Sequence, residues 1–151
     1  MNNNDCMTKK IKIEDKHLRT FFLICFLIFS ALFLAQKINL ATADIGRHIK
    51  NGEIFVKTGK IIDTNYYSYT ELDFPTSNHH WLSGVLFYLI YKIALFGGLS
   101  LFYIGLGVLT VYLCFLEAEK RSNWKIGLFL SLLVLPIFAT RTEIRPEIIS
   151  Y

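Results

Sequence analysis

Charged residues are scarce in this chain: they make up 19% of 151 residues, where a soluble domain carries about a quarter. The deficit is local. No charge falls between Phe21 and Ala35, and none between Leu99 and Leu116. Runs of that length exclude an ordinary soluble core and a disordered chain. Cysteine is nearly absent as well. Cys6, Cys25 and Cys114 are too few and too scattered for a disulfide scaffold or a thiolate metal centre. With only three prolines, at positions 75, 136 and 146, little interrupts the apolar blocks. The formal charge of +4 does not form a nucleic-acid patch. Five bases (Lys9, Lys10, Lys12, Lys16, Arg19) stand with three acids just before the first apolar block. That placement reads as a topogenic signal, and it argues against a nucleic-acid partner.

What is present is apolar sequence, 53% of all residues, in four blocks. The pattern predicts an all-α integral membrane protein of about four hydrophobic helices. Residues 1–20 form a basic cytoplasmic leader. Residues 21–40 form the first span, since roughly 20 residues at about 1.5 Å each match a hydrocarbon core of about 30 Å. A cleaved signal peptide is the rival reading, because Ala41-Thr42-Ala43 has the form of a cleavage site. Residues 41–80 form an extracytoplasmic loop. Residues 81–151 hold three more blocks (Trp81–Phe96, broken off by Gly97-Gly98, then Leu99–Leu116 and Ile126–Thr140) and the start of another helix at Arg145-Pro146. An ending of that kind predicts that the sequence is the N-terminal part of a longer protein.

The crossings are ambiguous. If every block spans, the link 117–125, with Lys120, Arg121 and Lys125, lies outside, against the positive-inside rule. If Trp81–Phe96 dips in or lies flat, that link returns to the cytoplasm.

The loop holds five acids, four bases and three of the four histidines. Asp44 is placed to cap a short helix that Gly59 ends. On that helix Ile45, Ile49, Gly52 and Val56 make a weakly apolar stripe beside a polar stripe of Asp44, His48 and Asn51. Such a helix lies along the membrane surface. Asn65 to Thr76 reads as an extended connection with interfacial aromatics, and it leads into Asn78-His79-His80-Trp81. An acid beside histidines and bases suits general-base chemistry on a hydroxyl, with cations to hold a departing phosphate. Asp44 is the candidate base. Arg47, Arg141 and Arg145 are candidate phosphate partners, because guanidinium offers paired planar donors. Each residue also has a plain structural reading: Asp44 as a helix cap, His79 and His80 as an interfacial polar pair, Arg141 and Arg145 as flanks of a helix end. The histidines lack zinc-ligand spacing on one element.

In order along the chain, Asp44-x-x-x-His48-x-x-x-Gly52, Gly59, Asn65-Tyr-Tyr-Ser68-Tyr-Thr70, His79-His80-Trp81-Leu82 and Arg141-x-x-x-Arg145-Pro146 resemble the early part of bacterial GT-C superfamily membrane glycosyltransferases. These are multi-pass, polyprenyl-phosphate-sugar-dependent enzymes related to the protein mannosyltransferases and the aminoarabinose transferases. The resemblance covers about residues 18 to 151. Asn65 and His80 stand where many relatives carry an acid. The resemblance implies a catalytic role for Asp44, and substrate binding by His48, His79, His80, Trp81, Arg141 and Arg145. It implies a multi-pass protein of the bacterial plasma membrane with a cytoplasmic N-terminus. Its partners would be membrane lipid, a polyprenyl-phosphate-linked sugar donor, and a glycan, lipid or protein acceptor. No cofactor is assigned, and a divalent cation is left open. Family enzymes have about a dozen helices, so 151 residues hold only part of a site and are expected to be inactive alone. The alternative is a non-catalytic multi-pass protein, an assembly partner or a degenerate remnant. A transporter fits least, because the apolar blocks hold few polar residues near their centres.

Overall fold

The computed structural model describes residues 3–35, 44–65, 67–71, 74–139 and 144. They form four helices: α1 (Asn3–Leu34), α2 (Ile45–Thr58), α3 (Trp81–Arg121) and α4 (Trp124–Ala139). No strand occurs among the described residues, where a single isolated bridge pairs Thr64 with Pro75. Among the described residues two stretches are long and apolar enough to cross a membrane, Glu14–Leu34 and Trp81–Arg121, and the apolar helix Trp124–Ile137 is shorter.

Two boundaries differ from the sequence expectation. The first span was placed at residues 21–40, but α1 begins inside the basic leader and ends at Leu34. The second and third blocks form one element, α3, broken at Ala94 (φ −134°, ψ 16°) and Leu95 (φ 53°, ψ −150°). The break precedes the Gly97-Gly98 pair expected to cause it. A Cβ on Gly98 would lie 2.6 Å from the Ala94 Cβ, so that glycine permits the close approach while the left-handed φ falls on Leu95. The break leaves an arm of residues 81–93, about 20 Å long, and an arm of residues 96–121, about 39 Å long. Only the second is long enough to cross a core of about 30 Å as a helix.

The chain divides into two compact units. The first comprises Met1–Ala35 and Gly107–Thr140; the second comprises Gln36–Leu106 and Arg141–Tyr151.

In the first unit α1 packs against α4 and against the last part of α3. Leu34, Val111 and Leu135 are buried together, with Phe26 and Val108 against them. Gly107 lets α3 approach closely, since a Cβ there would lie 2.7 Å from Leu34 Cδ1. The buried hydroxyls of Ser30 and Ser131 donate back along their own helices to the carbonyls of Phe26 (2.7 Å) and Gly127 (2.8 Å), so neither is left unsatisfied. Asn123 caps α4 by accepting from the N–H groups of Lys125 and Ile126, each at 3.0 Å.

Polar contacts fix the directions of these helices. Arg19 makes a two-point ion pair with Glu119, its Nη2 donating to Oε2 at 2.6 Å, and its guanidinium lies 5.6 Å from the Phe115 ring centroid. Trp124 Nε1 donates to Asp15 Oδ1 at 3.2 Å, and its ring stacks on Phe22 at 5.9 Å. The middle of α1, the end of α3 and the start of α4 therefore come together. The end of α1 lies with Gly107, Val111 and Leu135. The last part of α3 thus runs antiparallel to α1, and α4 runs parallel to it.

In the second unit α2 packs on the first part of α3. Ile45, Phe87, Leu99 and Ile144 are buried together, with Ile49, Ile90 and Tyr91 among the residues against them. The helices touch backbone to backbone at two glycines. A Cβ on Gly52 would collide with the Gly84 carbonyl, and one on Gly84 would lie 2.7 Å from the His48 carbonyl oxygen.

Candidate functional site

Helix α2 has the expected bounds. Asp44 stands at the N-cap position, and Gly59 closes the helix at φ 70°, its N–H donating to the Phe55 carbonyl at 2.8 Å. The cap chemistry differs from the expectation, because the Asp44 side chain makes no capping hydrogen bond. Instead Arg47 Nη2 donates to Asp44 Oδ2 at 2.8 Å, one turn along. Glu53 lies between Lys50 and Lys57, whose hydrogen bonds hold its carboxyl at about 2.

The buried stripe of α2 is rotated from the predicted one. Ile45, His48 and Gly52 are buried, and Ile49 is partly so, while Val56 is exposed. His48 was expected on a polar stripe beside Asp44, yet it is 6% exposed. The cause is the glycine contact, which draws the His48 turn onto α3. The imidazole meets the ring of His80 edge-on at 5.9 Å and that of Phe87 at 6.4 Å.

The connection between α2 and α3 closes over this point as a small loop. Thr76 N–H donates to the Asp63 carbonyl at 2.8 Å, and Asn65 N–H donates to the Phe74 carbonyl at 2.9 Å, flanking the Thr64–Pro75 bridge. The Tyr67 hydroxyl donates to Asn51 Oδ1 and ties the loop to α2. Between loop and helix lies a cleft of about 290 Å³. Arg47, His48 and Asn51 line it from α2; Asn65, Asn78, His79 and His80 are among the residues that line it from the loop. His79 Nδ1 lies 3.3 Å from the Ser77 hydroxyl. No carboxylate lines the cleft among the described residues. Its wall presents a guanidinium, three imidazoles, amides and hydroxyls, a set that suits a phosphate oxygen or a sugar hydroxyl.

Four of the residues singled out in the sequence divide cleanly. His48, His79 and His80 share the cleft. Trp81 does not line it; its ring packs on Phe55 at 4.8 Å, joining the end of α2 to the start of α3. Asp44, the candidate base, also stands off the wall, with its side chain 67% exposed and paired to Arg47, which does line it. Arg141 and Arg145 lie outside the described residues. For the divalent cation left open by the sequence, no three His, Cys, Asp or Glu side chains converge among the described residues. Sequence reasoning missed the part played by Thr64, Thr76 and Ser77, because only the bridge across residues 64–75 brings them over α2. Compared with known protein families, curated proteins and solved structures, the chain matches none of them.

Proposed function

We propose that this chain forms the first part of a multi-pass membrane glycosyltransferase that moves a sugar from a polyprenyl-phosphate carrier to an acceptor at the extracytoplasmic face. The observation that carries the reading is the cleft, where Arg47, His48, His79 and His80 converge and no described acid opposes them. A lipid-linked phosphosugar needs donors for its phosphate and a nearby membrane for its tail. In the proposed step the acceptor oxygen bonds to the anomeric carbon as its proton passes to the Asp44 carboxylate. The bond from that carbon to the phosphate oxygen breaks, and the electron pair leaves with polyprenyl phosphate, whose charge the Arg47 guanidinium holds.

Contacts in the first unit support a topology for this reading. With the basic leader in the cytoplasm, the link after α3 shares that face, because Arg19 pairs with Glu119 and Asp15 with Trp124. In this reading the loop 41–80 is extracytoplasmic and the short arm 81–93 lies flat at the membrane surface. Its exposed Leu82, Leu89 and Ile93 fall at spacings of seven and four, one stripe suited to lipid.

A second reading, a non-catalytic membrane protein, draws on the position of Asp44 outside the cleft wall. The two separate on donor contact. In membranes containing the protein, a photoreactive polyprenyl-phosphate sugar is expected to crosslink to residues 47–51 and 76–80. Crosslinks confined to α1 and α4 would overturn the assignment of the cleft as donor site.

A further inference from the structure

We propose that Arg47 is a phosphate-operated switch on Asp44: a phosphate group entering the cleft draws the guanidinium off the carboxylate and leaves Asp44 without that partner. The inference rests on the transferase reading for its purpose, but its parts stand on the geometry of one turn of α2. Arg47 is the residue common to two places. Its Nη2 holds Asp44 Oδ2 at 2.8 Å, and its side chain lines the cleft that Asp44 does not reach. The ion pair it makes with Asp44 is exposed on both sides, at 51% and 67%, and pairs of that kind are weak and easily exchanged. A phosphate in the cleft offers more. It presents several oxygens, in a half-enclosed space shared with His48, His79 and His80 and with no described carboxylate competing on the wall. Arg47 therefore stays on Asp44 until a phosphate is seated in the cleft. Arg47 acts as a positioning residue.

The ligand chemistry is a phosphate ester or free phosphate, and the sources are told apart by two probes, inorganic phosphate and farnesyl phosphate. Binding of each to the purified full chain in detergent is followed by the NMR signals of the arginine Nε groups and the aspartate carboxyl carbons. Either probe is expected to shift both the Arg47 and the Asp44 signals together. Binding by farnesyl phosphate alone identifies the lipid-borne source, and comparable binding by both identifies the phosphate head as sufficient. The diagnostic variant is Asp44→Asn. Removing the carboxylate removes Arg47's competing partner, so phosphate affinity is expected to rise severalfold, whereas a carboxylate that merely orients Arg47 toward the cleft predicts a loss. Arg47→Gln is expected to weaken binding at least about tenfold, and Arg47→Lys to restore part of it, which controls for folding. The switch is overturned if neither probe binds, if Asp44→Asn leaves affinity unchanged or lowers it, or if the Asp44 signal stays still while Arg47 responds. Failure of the transferase reading shows elsewhere, as retained transfer by Asp44→Asn, and leaves the binding results intact.

Discussion

Replacing Gly52 with leucine is expected to break the packing of α2 on α3 and with it the cleft. A single Cβ at that position already collides with the Gly84 carbonyl, and a backbone atom cannot swing aside as a side-chain tip can. The helices must separate, and His48, Phe87 and Ile45 lose the burial that this contact gives them. Overpacking a close contact costs about 1–3 kcal/mol, and a branched side chain against backbone lies at the upper end or beyond it. The measurement is thermal unfolding in detergent together with protease cleavage between residues 60 and 80. Gly52→Leu should melt well below the parent chain and be cut faster. Gly46→Ala is the matched control on the same helix. Its Cβ meets nothing within 4 Å, so alanine should be neutral or add about 0.5–1 kcal/mol through helix propensity. Equal melting of Gly52→Leu and the parent would contradict the described contact.

The second large effect is all-or-none. A cysteine placed at Ser122, in a background lacking Cys6, Cys25 and Cys114, should resist a membrane-impermeant maleimide in intact cells and react once the cytoplasm is opened. The physical reason lies in pairs far apart in sequence. The Arg19–Glu119 ion pair and the Trp124–Asp15 hydrogen bond join the leader end of α1 to the link between α3 and α4. Both sit where Lys120, Arg121 and Lys125 add to the basic charge of the leader, as the positive-inside rule favours. Four full crossings would put Ser122 on the opposite face and give labelling of intact cells. That result would require the arm 81–93 to span, although it measures about 20 Å as a helix.

How much of this was legible in the sequence depended on the range of the interactions. The bounds of α2 were readable, since Asp44 and Gly59 are local signals at its two ends. Its buried face was not. Hydropathy sets histidine among polar residues, and nothing near His48 announces that Gly84, far along the chain, will pull that turn inward. The break in α3 was placed at Gly97-Gly98 because glycine is the strongest local punctuator, yet it falls at Ala94–Leu95, where the surrounding run is uniformly apolar. The direction of the helices in the first unit was left open, because Arg19 and Glu119 are 100 residues apart and each alone reads as a flanking charge. Within the candidate site, His48, His79 and His80 were found by residue type and order, and they do share one cleft. The roles imagined for Asp44 and Trp81 were more direct than their positions. One reaches the cleft through Arg47, and the other braces the two helices against Phe55.

Sugar transfer at the α2 loop, with Asp44 as base, is the function proposed for this chain. Its most direct test is transfer from a polyprenyl-phosphate sugar in membranes carrying the protein expressed from its full gene, compared with the Asp44→Asn variant. A general base contributes about 10²–10⁴-fold, so the account predicts a fall of at least about 100-fold, with the variant still inserted and folded. Transfer by Asp44→Asn within about twofold of the parent would contradict the account, since loss of a working base lies far outside that range.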